Sequence, residues 1–324
     1  MRLQGIPVTV ITGFLGAGKT TLLDQWLRAF APGEAAVIVN EVGAIGMDGD
    51  LLSARVEAIV EIIGGCVCCT TYPQLVSALA SLADKQPKRL FVETSGAASP
   101  AGVVRAVYSS NDVWLDGIVT VVDATADRGS KTPFADLAAE QLGYADIVVL
   151  SNVDRLSASA LPQQQQAVAE ANATAIIASA DRGVLRGYSG LLDLLNARQS
   201  DLLRPAVQSR THEGIQTVAL CVDADLHEDL FGDWVECGLG KFEGRLLRVK
   251  GIVAIAGIED RIILQGVAGR MEASPGNAWE NEPRTSRLVI IGFALDEAEL
   301  RRGFMNCVVN QQSTGMANQL LPIV

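Results

Sequence analysis

Three cysteines fall within four positions, Cys66, Cys68 and Cys69, in the run Gly-Gly-Cys-Val-Cys-Cys. Thiolates are soft ligands that suit Zn²⁺, Cu⁺ and other thiophilic ions. Cys66 and Cys68 point to one side of an extended chain, and Cys69 needs a local turn to join them. Three ligands leave a tetrahedral site one short. Glu41, another nearby side chain, water or a group from a partner could fill the fourth place, and an incomplete site suits a metal that must leave. A vicinal disulfide or three buried thiols are the other uses of such a cluster. The remaining cysteines, Cys221, Cys237 and Cys307, are scattered and are expected to be small buried hydrophobes.

A second constellation lies upstream. Gly13, Gly16, Ala17, Gly18, Lys19, Thr20 and Thr21 complete the pattern G-x-x-x-x-G-K-[ST] between an apolar β-branched run and a helical stripe. Glycines let backbone N–H groups curl around a polyphosphate, and a helix N-terminus adds partial positive charge. Lys19 would neutralise β- and γ-phosphate oxygens, the Thr20 hydroxyl would hold Mg²⁺, and Thr21 would lie near the α-phosphate. Glu93 ends a buried strand and opens Glu-Thr-Ser-Gly. An acidic residue here orients Mg²⁺, directly or through water, and the Gly96 N–H can sense the γ-phosphate. Ser151-Asn152-Val153-Asp154 ends another strand. A carboxylate there could accept paired hydrogen bonds from guanine, although the familiar signature is Asn-Lys-x-Asp and only its acidic last member is kept.

Elements must position these groups. Val8–Phe30 reads as strand, loop and helix around the phosphate loop. Ala35–Glu41, Val56–Ile63, Arg89–Gly96, Gly117–Ala124, Asp146–Asp154 and Ala173–Ala180 read as strands. Pro73–Ala83, Phe134–Leu142 and Leu161–Ala171 read as helices between them, and Glu41–Leu52 as a glycine-punctuated loop. Apolar strands alternating with helices predict an α/β fold with a mainly parallel sheet flanked by helices. Its ligand site lies beyond the carboxyl ends of the strands, where Glu41, Glu93, Asp123, Asp154 and Ser179 all fall. The domains predicted are 1–204 (phosphate-loop domain), 205–212 (linker) and 213–324, where strands outnumber helices and a smaller α+β domain follows. Its last helix has Asp296 as N-cap with Glu299 three residues on.

Composition narrows the classes. Of 324 residues 49% are hydrophobic and 19% charged, an ordinary globular balance. A net charge of −11 is opposite to a nucleic-acid footprint, so no nucleic-acid partner is expected. No apolar run approaches the ~20 residues of a membrane helix, so no membrane partner is expected either. The N-terminus lacks a signal-peptide layout, which places the chain in the cytoplasm.

Together Thr12–Leu23, Asn40–Asp48, Gly64–Cys69, Glu93–Gly96 and Val121–Ala124 resemble the CobW-like family of metal-handling P-loop GTPases, and the resemblance spans nearly the whole chain. It implies GTP hydrolysis with Mg²⁺, coupled to binding of a transition metal, Zn²⁺ or Co²⁺, and its delivery to a client metalloprotein, with a homodimer left open. On that basis Lys19, Glu93 and Asp48, the last positioning attacking water, are the catalytic candidates. Gly13, Gly16, Ala17, Gly18, Lys19, Thr20, Thr21, Gly96, Asn152, Asp154 and Ser179 would bind the nucleotide. Cys66, Cys68, Cys69 and Glu41 would bind the transferred metal. The alternatives are a P-loop kinase or ATPase of another kind, or a nucleotide-binding metal sensor with weakened hydrolysis.

Overall fold

The structure is a computed structural model and describes residues 5–41, 59–63, 72–126, 135–157, 159–172, 174–200, 210–212, 215–267, 269–280 and 282–309. The first sheet is built from β1 (Ile6–Thr12), β2 (Ala35–Glu41), β3 (Ile59–Ile63), β4 (Arg89–Glu93), β5 (Val113–Asp123), β6 (Ile147–Ser151), β7 (Ile176–Asp181) and β8 (Val184–Leu185). Their order is β3-β2-β4-β1-β5-β6-β7-β8. All neighbours are parallel except β8, which turns back on β7. This bears out the expected α/β architecture.

Helices cover both faces: α1 (Lys19–Leu27), α2 (Tyr72–Ala83), α3 (Ala101–Tyr108), α4 (Ala135–Tyr144), α5 (Ala160–Ala171) and α6 (Leu191–Ser200). Strand alternation divides the core accordingly. Val8, Val10, Leu90, Val92 and Ile118 pack under α2, α3 and α4, whereas Ile11, Val37, Phe91, Val119 and Val121 pack under α1 and α6. In α1 the stripe Leu22, Leu23, Trp26 and Leu27 is buried at helical spacing. Each such side chain contributes about 1.5–3 kcal/mol on leaving water, which seats the helix behind the loop that begins it. Helix α3 is one that apolar periodicity alone did not single out; its Val103, Val104 and Val107 are buried.

The second sheet comprises β9 (Arg210–His212), β10 (Ile215–Val222), β11 (Leu246–Val253), β12 (Asp260–Val267), β13 (Arg270–Ala278) and β14 (Ser286–Phe293), in the order β13-β12-β11-β14-β10-β9. Every pairing is antiparallel. β9 falls inside the stretch 205–212 read as linker and pairs with β10, so the second sheet begins there. β13 contains Pro275 and Gly276, which hide it from propensity. As an edge strand it can tolerate the proline. Helices α7 (Glu228–Asp233) and α8 (Glu297–Asn306) pack on one face through Phe231, Leu300 and Phe304. The Asp296 cap is present, its carboxylate accepting from the Glu299 N–H at 2.9 Å.

The opposite face of this sheet meets α3 and α4. Leu247, Val267 and Ile291 join the core of the first domain. Between them lies a buried charge cluster: Asp146, preceding β6, pairs with Arg248 and with Lys250 at 3.2 Å. The Lys250 ammonium also donates to the Thr174 carbonyl at 3.3 Å. Arg270 stacks over Tyr108, 5.5 Å from its ring centre. No helix among the described residues is long and apolar enough to cross a membrane.

Candidate nucleotide site

The phosphate loop joins the carboxyl end of the central strand β1 to the N-terminus of α1. Three of its glycines hold positive φ: Gly13 (133°), Gly16 (75°) and Gly18 (92°). Only at Gly13 is space also decisive, since a Cβ there would stand 2.1 Å from the Val121 carbonyl oxygen. Lys19 is buried at 8% exposure. Its ammonium donates to the carbonyls of Gly13 (2.9 Å) and Phe14 (3.2 Å), folding back across its own loop. A cation held over a ring of backbone is placed for anionic oxygens, and Coulomb attraction is stronger in such a partly dry site.

Thr20 and Glu93 come together although 73 residues separate them. The Thr20 hydroxyl donates to the Glu93 carboxylate at 2.9 Å. β4 lies beside β1 with Ile11 opposite Glu93, which brings the end of β4 level with the phosphate loop. The Thr94 hydroxyl donates to that of Thr12 at 2.9 Å, and the Thr94 N–H to the Ile11 carbonyl. A Cβ on Gly96 would lie 2.5 Å from the Leu15 backbone nitrogen. The Glu-Thr-Ser-Gly turn therefore presses on the tip of the phosphate loop, and Gly96 is required by that approach.

The third wall is the end of β6. Ser151 donates its hydroxyl to the Ala17 carbonyl at 2.7 Å and to the Val122 carbonyl at 3.2 Å. Asn152 follows at φ 54°, ψ 28°, and a single 3₁₀ turn, Val153–Arg155, then carries an exposed Asp154 over a buried Val153. Ser179 is buried in β7, with Leu150 of β6 as its register neighbour. Phosphate loop, Thr20–Glu93 pair, Asp154 turn and Ser179 thus converge on one end of the sheet.

Other expected residues fall elsewhere. Asp48, Cys66, Cys68 and Cys69 lie outside the described residues, as does the side chain of Glu41, whose backbone closes β2 opposite Ile63 of β3. Among the described residues no group of three or more His, Cys, Asp or Glu forms a metal site. The scattered cysteines divide: Cys307 is buried, but Cys221 and Cys237 are exposed, which corrects their reading as core residues. Cys221 follows Leu220, which packs toward α7 and α8, and so lies on the other face of β10 from them; Cys237 sits in the π-helical turn Trp234–Gly238 that continues α7. Residue type alone missed the role of Ser151. The signal available was its place one residue before the turn bearing Asp154.

Comparison with known proteins agrees with this geometry. Residues 7–179 match the family described as "CobW/HypB/UreG, nucleotide-binding domain". Residues 215–308 match the "Cobalamin synthesis protein cobW C-terminal domain". The chain is 32% identical to a protein of Pseudomonas aeruginosa named zinc chaperone CobW, the match covering 97% of this chain and 92% of that one. It is 31% identical to zinc chaperone YjiA of Escherichia coli over 92% and 98% of the two chains. The crystal structure of Zn(II)-bound YjiA GTPase shares the fold, with a TM-score of 0.67 at 23% identity over 94% and 99% of the chains. The chain is a member of the CobW/HypB/UreG nucleotide-binding family, carrying a CobW-type C-terminal domain.

Proposed function

We propose that this protein is a GTPase that binds zinc through Cys66, Cys68 and Cys69, with Glu41 as a further ligand, and passes it to a client protein. The observation that carries the nucleotide half is the Thr20–Glu93 contact beside the phosphate loop. A hydroxyl and a carboxylate together offer the hard oxygen donors that Mg²⁺ takes. Thr20 and Glu93 would hold the ion, which when bound supplies positive charge to the β- and γ-phosphates. Lys19 would exchange its two carbonyl acceptors for phosphate oxygens. Gly96, pressed against Leu15, would report the γ-phosphate to the Glu-Thr-Ser-Gly turn. Asp154 would read the guanine edge, with Asn152 and Ser179 around the base, and Asp48 would position water.

The metal half is supported by the relatives named zinc chaperones and by the chemistry of the cysteine run. β2 and β3 end side by side, Glu41 opposite Ile63, and Cys66 follows Ile63 by three residues. The cysteines therefore lie in sequence between two segments that would respond to a γ-phosphate, the loop after Glu41 and the Glu93–Gly96 turn. Binding or losing that phosphate can reshape a loop that carries ligands.

Hydrolysis of GTP and ATP by the wild type and by Lys19→Ala tests the nucleotide assignment. Turnover of GTP well above ATP, abolished in Lys19→Ala, is expected. Equal turnover of both, or transfer of phosphate to a small molecule, would place the chain among other P-loop enzymes.

A further inference from the structure

Gln141 of α4 is a polar side chain only 1% exposed. Its amide nitrogen donates to the Ala98 carbonyl at 3.1 Å and to the Gly96 carbonyl at 3.4 Å. Only the NH₂ end of an amide can serve two carbonyls, so these acceptors also fix which way the amide points. The backbone carbonyl of Gln141 accepts from the Thr120 hydroxyl of β5 at 2.8 Å. One residue earlier, the Glu140 carboxylate accepts from the Ser99 hydroxyl at 2.6 Å.

The turn these bonds reach lies past the end of its strand. β4 stops at Glu93, so Gly96 and Ala98 are beyond the sheet ladder. Thr94 is still tied to β1 through Ile11 and Thr12. After it, the Ala98 N–H donates to the Ser95 carbonyl at 3.1 Å and the Ala97 N–H to the Ser95 hydroxyl at 3.4 Å. Those bonds shape the turn without attaching it to the rest of the domain. Gly96 is pressed against Leu15 at the phosphate-loop tip and held through its carbonyl by Gln141. The anchor behind it is firm. α4 buries Ala139 and Tyr144 in the core that the second sheet joins through Leu247, Val267 and Ile291. A group is placed precisely only when the residues behind it are themselves locked.

We infer that Gln141 is the positioning residue for the γ-phosphate turn: its amide holds the Gly96 and Ala98 carbonyls so that the Gly96 N–H faces the nucleotide. The inference rests on the reading of Gly96 as the γ-phosphate contact. Without the amide, two buried carbonyls lose a donor, and the turn must shift to find another. Binding of GDP, which has no γ-phosphate, does not depend on that turn.

The test is calorimetric titration of the full chain, in Mg²⁺, with GDP and with the non-hydrolysable β,γ-imido analogue of GTP. Melting temperature and amide hydrogen exchange of segment 93–98 are measured alongside. Gln141→Met keeps the side-chain length but has no donor. It should weaken binding of the analogue about tenfold and leave that of GDP within about twofold. Segment 93–98 of the wild type should exchange more slowly with the analogue than with GDP, and Gln141→Met should lose that difference. If the wild-type segment exchanges equally with both nucleotides, Gly96 does not read the γ-phosphate and the inference falls with that reading. If the wild type distinguishes them and Gln141→Met keeps both its affinity ratio and its exchange difference, Gln141 does not position the turn. A lower melting temperature with that result would make it a packing residue only. Should Gln141→Met not fold, Gln141→Asn, whose amide is one methylene short of the carbonyls, carries the same prediction at about threefold, and a ratio equal to wild type overturns it.

Discussion

Replacing Asp146 by Asn would remove the negative charge on which the two domains meet. The side chain of Asp146 is 1% exposed and that of Arg248 3%; Lys250, 3.2 Å away, is 7% exposed. One carboxylate oxygen faces the two cations, while the other accepts from the Ile118 N–H at 2.9 Å. Asn keeps an acceptor for Ile118 but removes the buried negative charge that faces Arg248 and Lys250. Breaking a buried pair in this way costs about 3–5 kcal/mol. At about 2 °C per kcal/mol for a chain this large, the melting temperature should fall by roughly 6–10 °C. The comparison is Lys241→Ala, which breaks the ion pair with Glu299, whose side chains are 63% and 39% exposed, and which should cost about 0–1 kcal/mol. Differential scanning calorimetry of the two variants at one pH and salt concentration reads the difference. A shift for Asp146→Asn no larger than that for Lys241→Ala would refute the view that this cluster holds the domains together.

Two further perturbations probe individual features. Gly16→Ala meets nothing within 4 Å at φ 75° and should cost only the left-handed strain, about 1–2 kcal/mol. Gly13→Ala would drive a Cβ to 2.1 Å from the Val121 oxygen and should cost at least about twice as much; equal thermal shifts would contradict the close packing of β1 on β5. Burial pushes the Cys307 thiol up to about 11, whereas Cys237 is exposed. The neutral thiol favours the folded state fully below the free-thiol pKa of about 8.5, and that contribution is lost as pH rises through the folded value. Alkylation mapped by mass spectrometry at pH 8 should therefore label Cys237 well before Cys307, with Cys307 catching up only near pH 11. Equal labelling at pH 8 would refute its burial.

Much of this fold could be read from the chain because each parallel strand is buried on both faces and appears as a continuous apolar run. The phosphate loop was legible for a different reason: its glycines and Lys19 admit few other uses in a strand–turn–helix context. Glu93 was legible as a strand-end acid, but not its hydrogen bond to Thr20, which depends on β4 being inserted beside β1. Order in the sheet is set by tertiary packing and leaves no local mark. For the same reason the bond of Ser151 to Ala17 could not be anticipated. Asp146, Arg248 and Lys250 were invisible as a cluster because 102 residues separate Asp146 from Arg248, and β13 because its proline is permitted only by its edge position. Exposure of Cys221 and Cys237 ran against residue type, since strand parity and a helix end decided it.

The metal half stands or falls on zinc titration of the wild type against Cys66→Ser/Cys68→Ser/Cys69→Ser, each without nucleotide, with GDP and with a non-hydrolysable GTP analogue. A GTP-driven carrier should bind one zinc tightly only when the cysteines are present. Its affinity should differ between the GDP and GTP-analogue forms by about 5- to 150-fold, the range of ordinary allosteric coupling. Unchanged zinc affinity in the triple variant, or one affinity in all three nucleotide states, would contradict it.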